Sequence, residues 1–168
     1  MDNVVLSNKE NELYSIVLGV QGTMEEKAKQ LRDKGVYDKY KKIHSTYASN
    51  SDRDLESIKR GLFIQWYALC EPSCFTGINE LELKSELKII GHIDKLITNN
   101  NLDSELKWML KYYSNWSYVF ERFEEFNGLQ NWIKNQIEIE LPSTVDREQM
   151  QNRGQMGKYW SSIKKIVN

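Results

Sequence analysis

Three features of the sequence predict an all-α fold, a compact single-domain bundle of six or seven helices spanning residues 1–168. Apolar residues recur at spacings of three and four along most of the chain, the period that lines one face of a helix. Side-chain acceptors stand ahead of those runs, where they satisfy the free N–H groups of a first turn. Only two prolines and nine glycines interrupt the pattern, and 40% apolar with 28% charged residues at net charge −1 is a globular composition rather than a disordered one. No run of about 18 apolar residues offers a membrane span.

The elements follow in order. Ser7-x-x-Glu10, Thr23-x-x-Glu26 and Asn79-x-x-Glu82 each fit a capping box. Behind Ser7, the residues Leu13, Ile16, Val17 and Val20 predict a short first helix, with Gly19 and Gly22 supplying the turn. Met24, Ala28 and Leu31 share the next face. Gly35-Val36 reads as a left-handed stop, yet Val36, Tyr40, Ile43 and Tyr47 resume in phase, so 23–48 is either two helices or one kinked helix. After Asn50-Ser51-Asp52 come Leu55, Ile58, Leu62, Trp66 and Leu69. Their helix is apolar almost all round from Gly61 to Cys70, which makes it the central one.

Pro72 ends that helix and opens a loop, Glu71 to Ile78. Leu83, Leu87, Ile90, Ile93 and Ile97 define the next helix, closed by Asn99-Asn100-Asn101. The strongest periodicity runs from Leu102 to Phe123 as one helix, and Leu129, Trp132, Ile133 and Ile137 predict another after Asn127-Gly128. Ile137 to Leu141 alternates as an edge strand does. With no partner strand in the sequence, it reads as a helix tail stopped by Pro142. Ser143-x-x-Asp146 opens a final segment, nearly all polar to Gly154 and then helical through Met156, Trp160, Ile163 and Val167, so only its second half is expected to pack.

Several chemistries lack their signatures. The acidic start Met1-Asp2-Asn3 is unlike a secretory signal, and a cytoplasmic location is expected. Cys70 and Cys74 are too few for a disulfide framework and read as reduced thiols; with His44 and His92 48 residues apart, they make no zinc set, so no metal is expected. No Gly-rich phosphate loop, zinc-protease histidine pair or EF-hand occurs. Neither histidine follows a Glu at the Glu-x-x-His spacing of di-metal bundles, and Glu121-x-x-Glu124 lacks the second acidic pair that helical pyrophosphatases use for magnesium. His44, among Tyr37, Tyr40 and Tyr47, reads as an amphipathic surface residue rather than a general base. No cofactor and no catalytic residue are expected. An enzyme would have to assemble its site from the 71–78 loop and the histidines.

The unusual signal is aromatic. On one ideal helix at about 100° per residue, Leu106, Trp108, Met109, Leu110, Tyr112 and Trp116 share an apolar arc of roughly 200°, about twice what one core contact requires. That arc is covered by neighbours in the bundle, by a second copy of the chain, or by a partner. Trp and Tyr anchor protein interfaces, and the stretch Glu121 to Glu140 beside the arc carries net charge −3. A non-catalytic interaction protein is therefore expected, an inhibitor or toxin-immunity protein that binds a basic partner through Trp108, Tyr112 and Trp116, steered by Glu121, Glu124 and Glu125. The alternative is nucleic-acid binding by the 27–42 stretch (net +5) through Lys27, Lys39, Lys41 and Lys42. On a single helix these charges encircle the axis, which favours a solvated face.

Overall fold

The computed structural model describes residues 2–135 and 139–167, and it is helical almost throughout. Eight helices have nine residues or more: α1 (Asn3–Gly19), α2 (Met24–Asp33), α3 (Val36–Asn50), α4 (Leu55–Cys70), α6 (Leu83–Thr98), α7 (Ser104–Tyr113), α9 (Asn127–Asn135) and α11 (Gly154–Ile163). Three more are short turns of helix, α5 (Ser73–Thr76), α8 (Tyr118–Glu121) and α10 (Arg147–Gln151). The all-α class holds. The described residues hold more helices than six or seven because α5 and α10 lie in stretches not read as helix and because 102–123 is divided into α7 and α8.

Local chemistry explains each boundary. Thr23 and Glu26 form a reciprocal capping box, with Thr23 N–H donating to Glu26 Oε2 at 2.8 Å. Gly35 takes the left-handed conformation (φ 65°), which separates α2 from α3 and settles 23–48 as two helices. Asp54 caps α4 by accepting from the Glu56 and Ser57 N–H groups. The break after Tyr113 is a run of poor helix formers: Ser114 Oγ donates to the Lys111 carbonyl, and the Asn115 and Trp116 N–H groups donate three residues back, to Tyr112 and Tyr113. Apolar periodicity survives across this break, so the pattern looked continuous.

Two of the three sequence capping boxes do not cap the helices they were expected to start. Asp2 starts α1, which therefore begins well before Ser7, and Glu82 starts α6 without a side-chain cap. The helix expected to run to Pro142 is described only to Asn135; Ile137 lies outside the described residues, and 139–142 is irregular. An unexpected pair of strands follows, β1 (Thr144–Asp146) and β2 (Lys165–Val167), parallel with Val145 opposite Ile166. Parallel pairing needs a crossover, and α10 with α11 provides it. Val167 thus belongs to a strand rather than to the last helix. In the first turn of α11, a Cβ on Gly157 would lie 2.0 Å from the Met150 carbonyl oxygen, so only glycine lets α11 pack this close to the end of α10.

One cluster of buried apolar side chains extends from Leu6 to Trp160. α4 is its centre: Ser57 through Trp66 are all buried, against α3, α6, α7 and α11. Burying Leu62, Phe63 and Ile64 stabilises the fold by about 1.5–3 kcal/mol each. The same run contains Lys59 and Arg60, and charges so placed require partners.

Candidate functional site

The partners of those charges form a continuous polar spine. Lys59 Nζ reaches Asp103 Oδ2 (2.5 Å) and Glu105 Oε2 (2.7 Å). Arg153 bridges Glu105 and Glu56, its Nη2 lying 2.9 Å from Glu105 Oε2 and 2.5 Å from Glu56 Oε2. Arg60 continues from Glu56 Oε1 (2.8 Å) to the Tyr47 hydroxyl (3.4 Å), which donates to Glu10 Oε1 at 2.5 Å. Burial opposes ionisation of Glu105, but Arg153 and Lys59 hold its carboxyl down at about 2. Glu10 is different: burial outweighs the hydrogen bonds from Tyr47 and Gln155, and its pKa rises to about 6.

A buried carboxyl of raised pKa, linked through a tyrosine to an arginine, invites a catalytic reading. Its hydrogen bonds argue for structure instead. Glu10 is 1% exposed, and its oxygens accept from Tyr47 and from the Gln155 N–H (3.0 Å), while Ser7 Oγ accepts from the Gly154 N–H (2.9 Å). These are the first N–H groups of α11, whose own N-cap residue, Arg153, makes no side-chain cap. Ser7-x-x-Glu10 is thus a cap after all, for a helix about 145 residues away. A carboxylate there also faces the positive end of the helix dipole.

The aromatic residues converge on Trp66, which is 1% exposed. It stacks on Tyr113 at 4.7 Å between ring centroids and meets the edges of Tyr112, Trp116 and Tyr159 at 5.7, 5.4 and 5.0 Å. Tyr112 and Tyr159 share a hydrogen bond between hydroxyls (2.6 Å), and Trp108 stands edge-on to Trp160 at 4.5 Å. Trp108, Tyr112 and Trp116 are accordingly half-buried, committed to this cluster by one side and open to solvent by the other. Trp116 lies beyond the end of α7, so the three do not form the single helical stripe expected.

Glu121, Glu124 and Glu125 are all exposed. The one cation among them, Arg122, turns away from them: it pairs with the buried carboxylate of Glu86 and lies over the Phe123 ring. Tyr118, one turn before Glu121, is 48% exposed, with its hydroxyl 3.7 Å from Cys70 Sγ. The structure therefore joins the three glutamates to an aromatic residue that periodicity had not singled out. Tyr118 was legible only as one of nine tyrosines, because its exposure depends on the break at 114–117.

The basic stretch disperses. Lys27 lies over Phe75 (5.4 Å to the centroid), and Lys29 pairs with Asp33 at 2.6 Å. Lys41 borders a recess shared with Asp38 and Glu80, whereas Lys39 and Lys42 face α1. His44 is fully buried, not a surface residue. Gln65 Nε2 donates to its Nε2 (3.1 Å), and burial, with Arg122 nearby, lowers its pKa to about 3. The 71–78 loop folds as α5 and is held to the core by Gln155, whose Nε2 donates to the Thr76 carbonyl at 2.6 Å. Cys70 and Cys74 are free thiols, and no group of three or more His, Cys, Asp or Glu among the described residues is placed to hold a metal. No described helix is long and apolar enough to cross a membrane.

No protein-family model matches the chain, and searches of curated proteins and of solved structures found no match. The functional reading rests on the geometry alone.

Proposed function

We propose that this chain is a non-catalytic interaction protein, of the inhibitor or immunity kind, that binds a basic protein partner through the surface of 116–125. The observation that carries this reading is the pairing of Arg122 with Glu86, which leaves Glu121, Glu124 and Glu125 exposed beside exposed Tyr118, with no ion pair to them among the described residues. Exposed like charges steer a partner of opposite sign and speed association more than they add affinity. Tyr118 supplies the stiff amphipathic contact that interfaces favour, and the open edges of Trp108, Tyr112 and Trp116 extend it.

Affinity capture from the native cell extract at low and high salt tests the reading, with the purified protein as bait. The wild type should retain one stoichiometric protein, and Tyr118→Ala combined with Glu124→Lys and Glu125→Lys should lose it. Glu25→Lys, an equally exposed reversal on α2, should keep it. Retention by the triple variant while folded overturns the proposal, as does recovery of nuclease-sensitive nucleic acid in place of a protein.

A further inference from the structure

Tyr112 of α7 and Tyr159 of α11 face each other hydroxyl to hydroxyl, with 2.6 Å between the oxygens, which is short for such a pair. Their ring centroids are 6.3 Å apart and the rings are inclined at 59°, so the pair folds back across the hydrogen bond instead of lying end to end. One ortho carbon of each ring is thereby on the inner side of the fold. Tyr67 approaches Tyr159 at 5.5 Å and Tyr113 approaches Tyr112 at 6.0 Å, neither with a hydrogen bond between hydroxyls. Tyr112 and Tyr159 are both half-buried, with one side of each ring open to solvent.

Three indoles stand one ring contact away. Trp66 lies 5.0 Å from Tyr159, Trp116 lies 5.4 Å from Tyr112, and Trp160 is 5.0 and 5.3 Å from the two. An indole radical oxidises a phenol in contact with it, so an electron lost from any of these three rings is replaced from the tyrosine pair.

We propose that Tyr112 and Tyr159 are a modification site at which a one-electron oxidant joins α7 to α11 through a dityrosine bond. Each hydroxyl gives up one electron and one proton, the electrons passing to two equivalents of oxidant and the protons to solvent. The two phenoxyl radicals couple through their ortho carbons, and each ortho hydrogen then moves to its own oxygen. The product has lost two hydrogens and gained one carbon–carbon bond. It ties positions 47 apart, a closure that lowers the entropy of the unfolded chain. The site needs no partner and is independent of the docking reading.

Photogenerated ruthenium(III) tris(bipyridine), with persulfate as the electron sink, tests it on the purified full chain at high dilution. The monomer should lose the mass of two hydrogens and gain the blue fluorescence of dityrosine, with tryptic peptides 112–122 and 159–164 joined between Tyr112 and Tyr159. It should also unfold at a higher urea concentration than the untreated protein. Tyr112→Phe and Tyr159→Phe, which keep both rings, should each abolish the link, whereas Tyr67→Phe should keep it. The proposal is overturned by links that form only between chains, by a link through another tyrosine, by its persistence in either of the first two variants or its loss in the third, by an unfolding midpoint that does not rise, or by oxidation that consumes the tryptophans and leaves both tyrosines intact.

Discussion

The spine from Asp103 to Glu10 and the surface of 116–125 both concentrate charge, yet they use it in opposite ways. In the spine every charged group has a partner: Arg153 holds two carboxylates, Lys59 holds two, and Glu10 takes its hydrogen bonds from Tyr47 and the start of α11. On the surface, three glutamates share one neighbouring arginine, and it is spent on Glu86. Buried charges must be matched within the molecule, because an unmatched one costs several kcal/mol; exposed charges need no match and remain available to a partner. Substitutions in the two regions should therefore differ in what they damage.

The largest effect is expected at Arg153. Arg153→Met leaves Glu56 and Glu105 facing each other without their bridge and should destabilise the protein by about 3 kcal/mol in urea denaturation at pH 7. The estimate sits at the low end for a buried pair because the two carboxylates keep 24% and 22% exposure, and Arg60 and Lys59 remain beside them. Glu105 also gives the loss a pH signature. A carboxyl held at about 2 when folded, below its ordinary 4.5, contributes stability above pH 4.5 that disappears as pH falls through 2. The gap between wild type and variant should narrow over that interval. A loss below 1 kcal/mol at pH 7 would show that the spine is not what holds α11 in place.

His44 and Glu10 set a second, smaller effect. The His44 pKa falls from 6.5 to about 3 on folding, so its contribution is present above pH 6.5 and is lost progressively as pH drops. Glu10, raised from 4.5 to about 6, works the other way: its protonation favours the folded state as pH falls from 6 to 4.5. Lowering the pH from 7 to 5 should cost the wild type about 2 kcal/mol more than His44→Gln, at about 1.4 kcal/mol per pH unit below 6.5. Equal slopes would mean that the imidazole titrates while folded, contradicting its burial.

The spine was hidden from the sequence for a physical reason. Helix periods and caps are local, and they disclosed the class, the central position of α4, the glycine stop at 35 and the Thr23 box. Ser7 and Glu10 have the spacing of a local cap, and nothing nearby in sequence reveals that the N–H groups they serve belong to Gly154 and Gln155. Arg153 lies in a stretch read as solvated because it is polar, and its burial depends on Glu56 and Glu105, 97 and 48 positions away. On the candidate surface, composition marked the glutamates, which are exposed as expected. The helix projection assigned Trp116 to the wrong element because it could not register the break at Ser114.

A third substitution locates the border between the two regions. Tyr112→Phe removes only the hydroxyl bond to Tyr159 and should cost about 1 kcal/mol in thermal or urea unfolding. Partner capture should survive, because the ring and its packing against Trp66 and Trp116 remain. If capture is lost while stability is kept, the hydroxyl faces the partner, and the aromatic cluster belongs to the interface as much as to the core.

The smallest effect on stability is expected from the most drastic change in charge. Replacing Glu121, Glu124 and Glu125 together by Lys alters the net charge by +6, yet each residue is exposed, and exposed sites shift stability by no more than about 0.5 kcal/mol. The unfolding midpoint should barely move, whereas association with a basic partner should slow sharply at low salt and converge on the wild-type rate at high salt, where screening removes the steering. A large loss of stability would mean that these glutamates are already matched inside the molecule. The surface would then be a continuation of the spine, and the contrast that singles out 116–125 as the docking face would collapse.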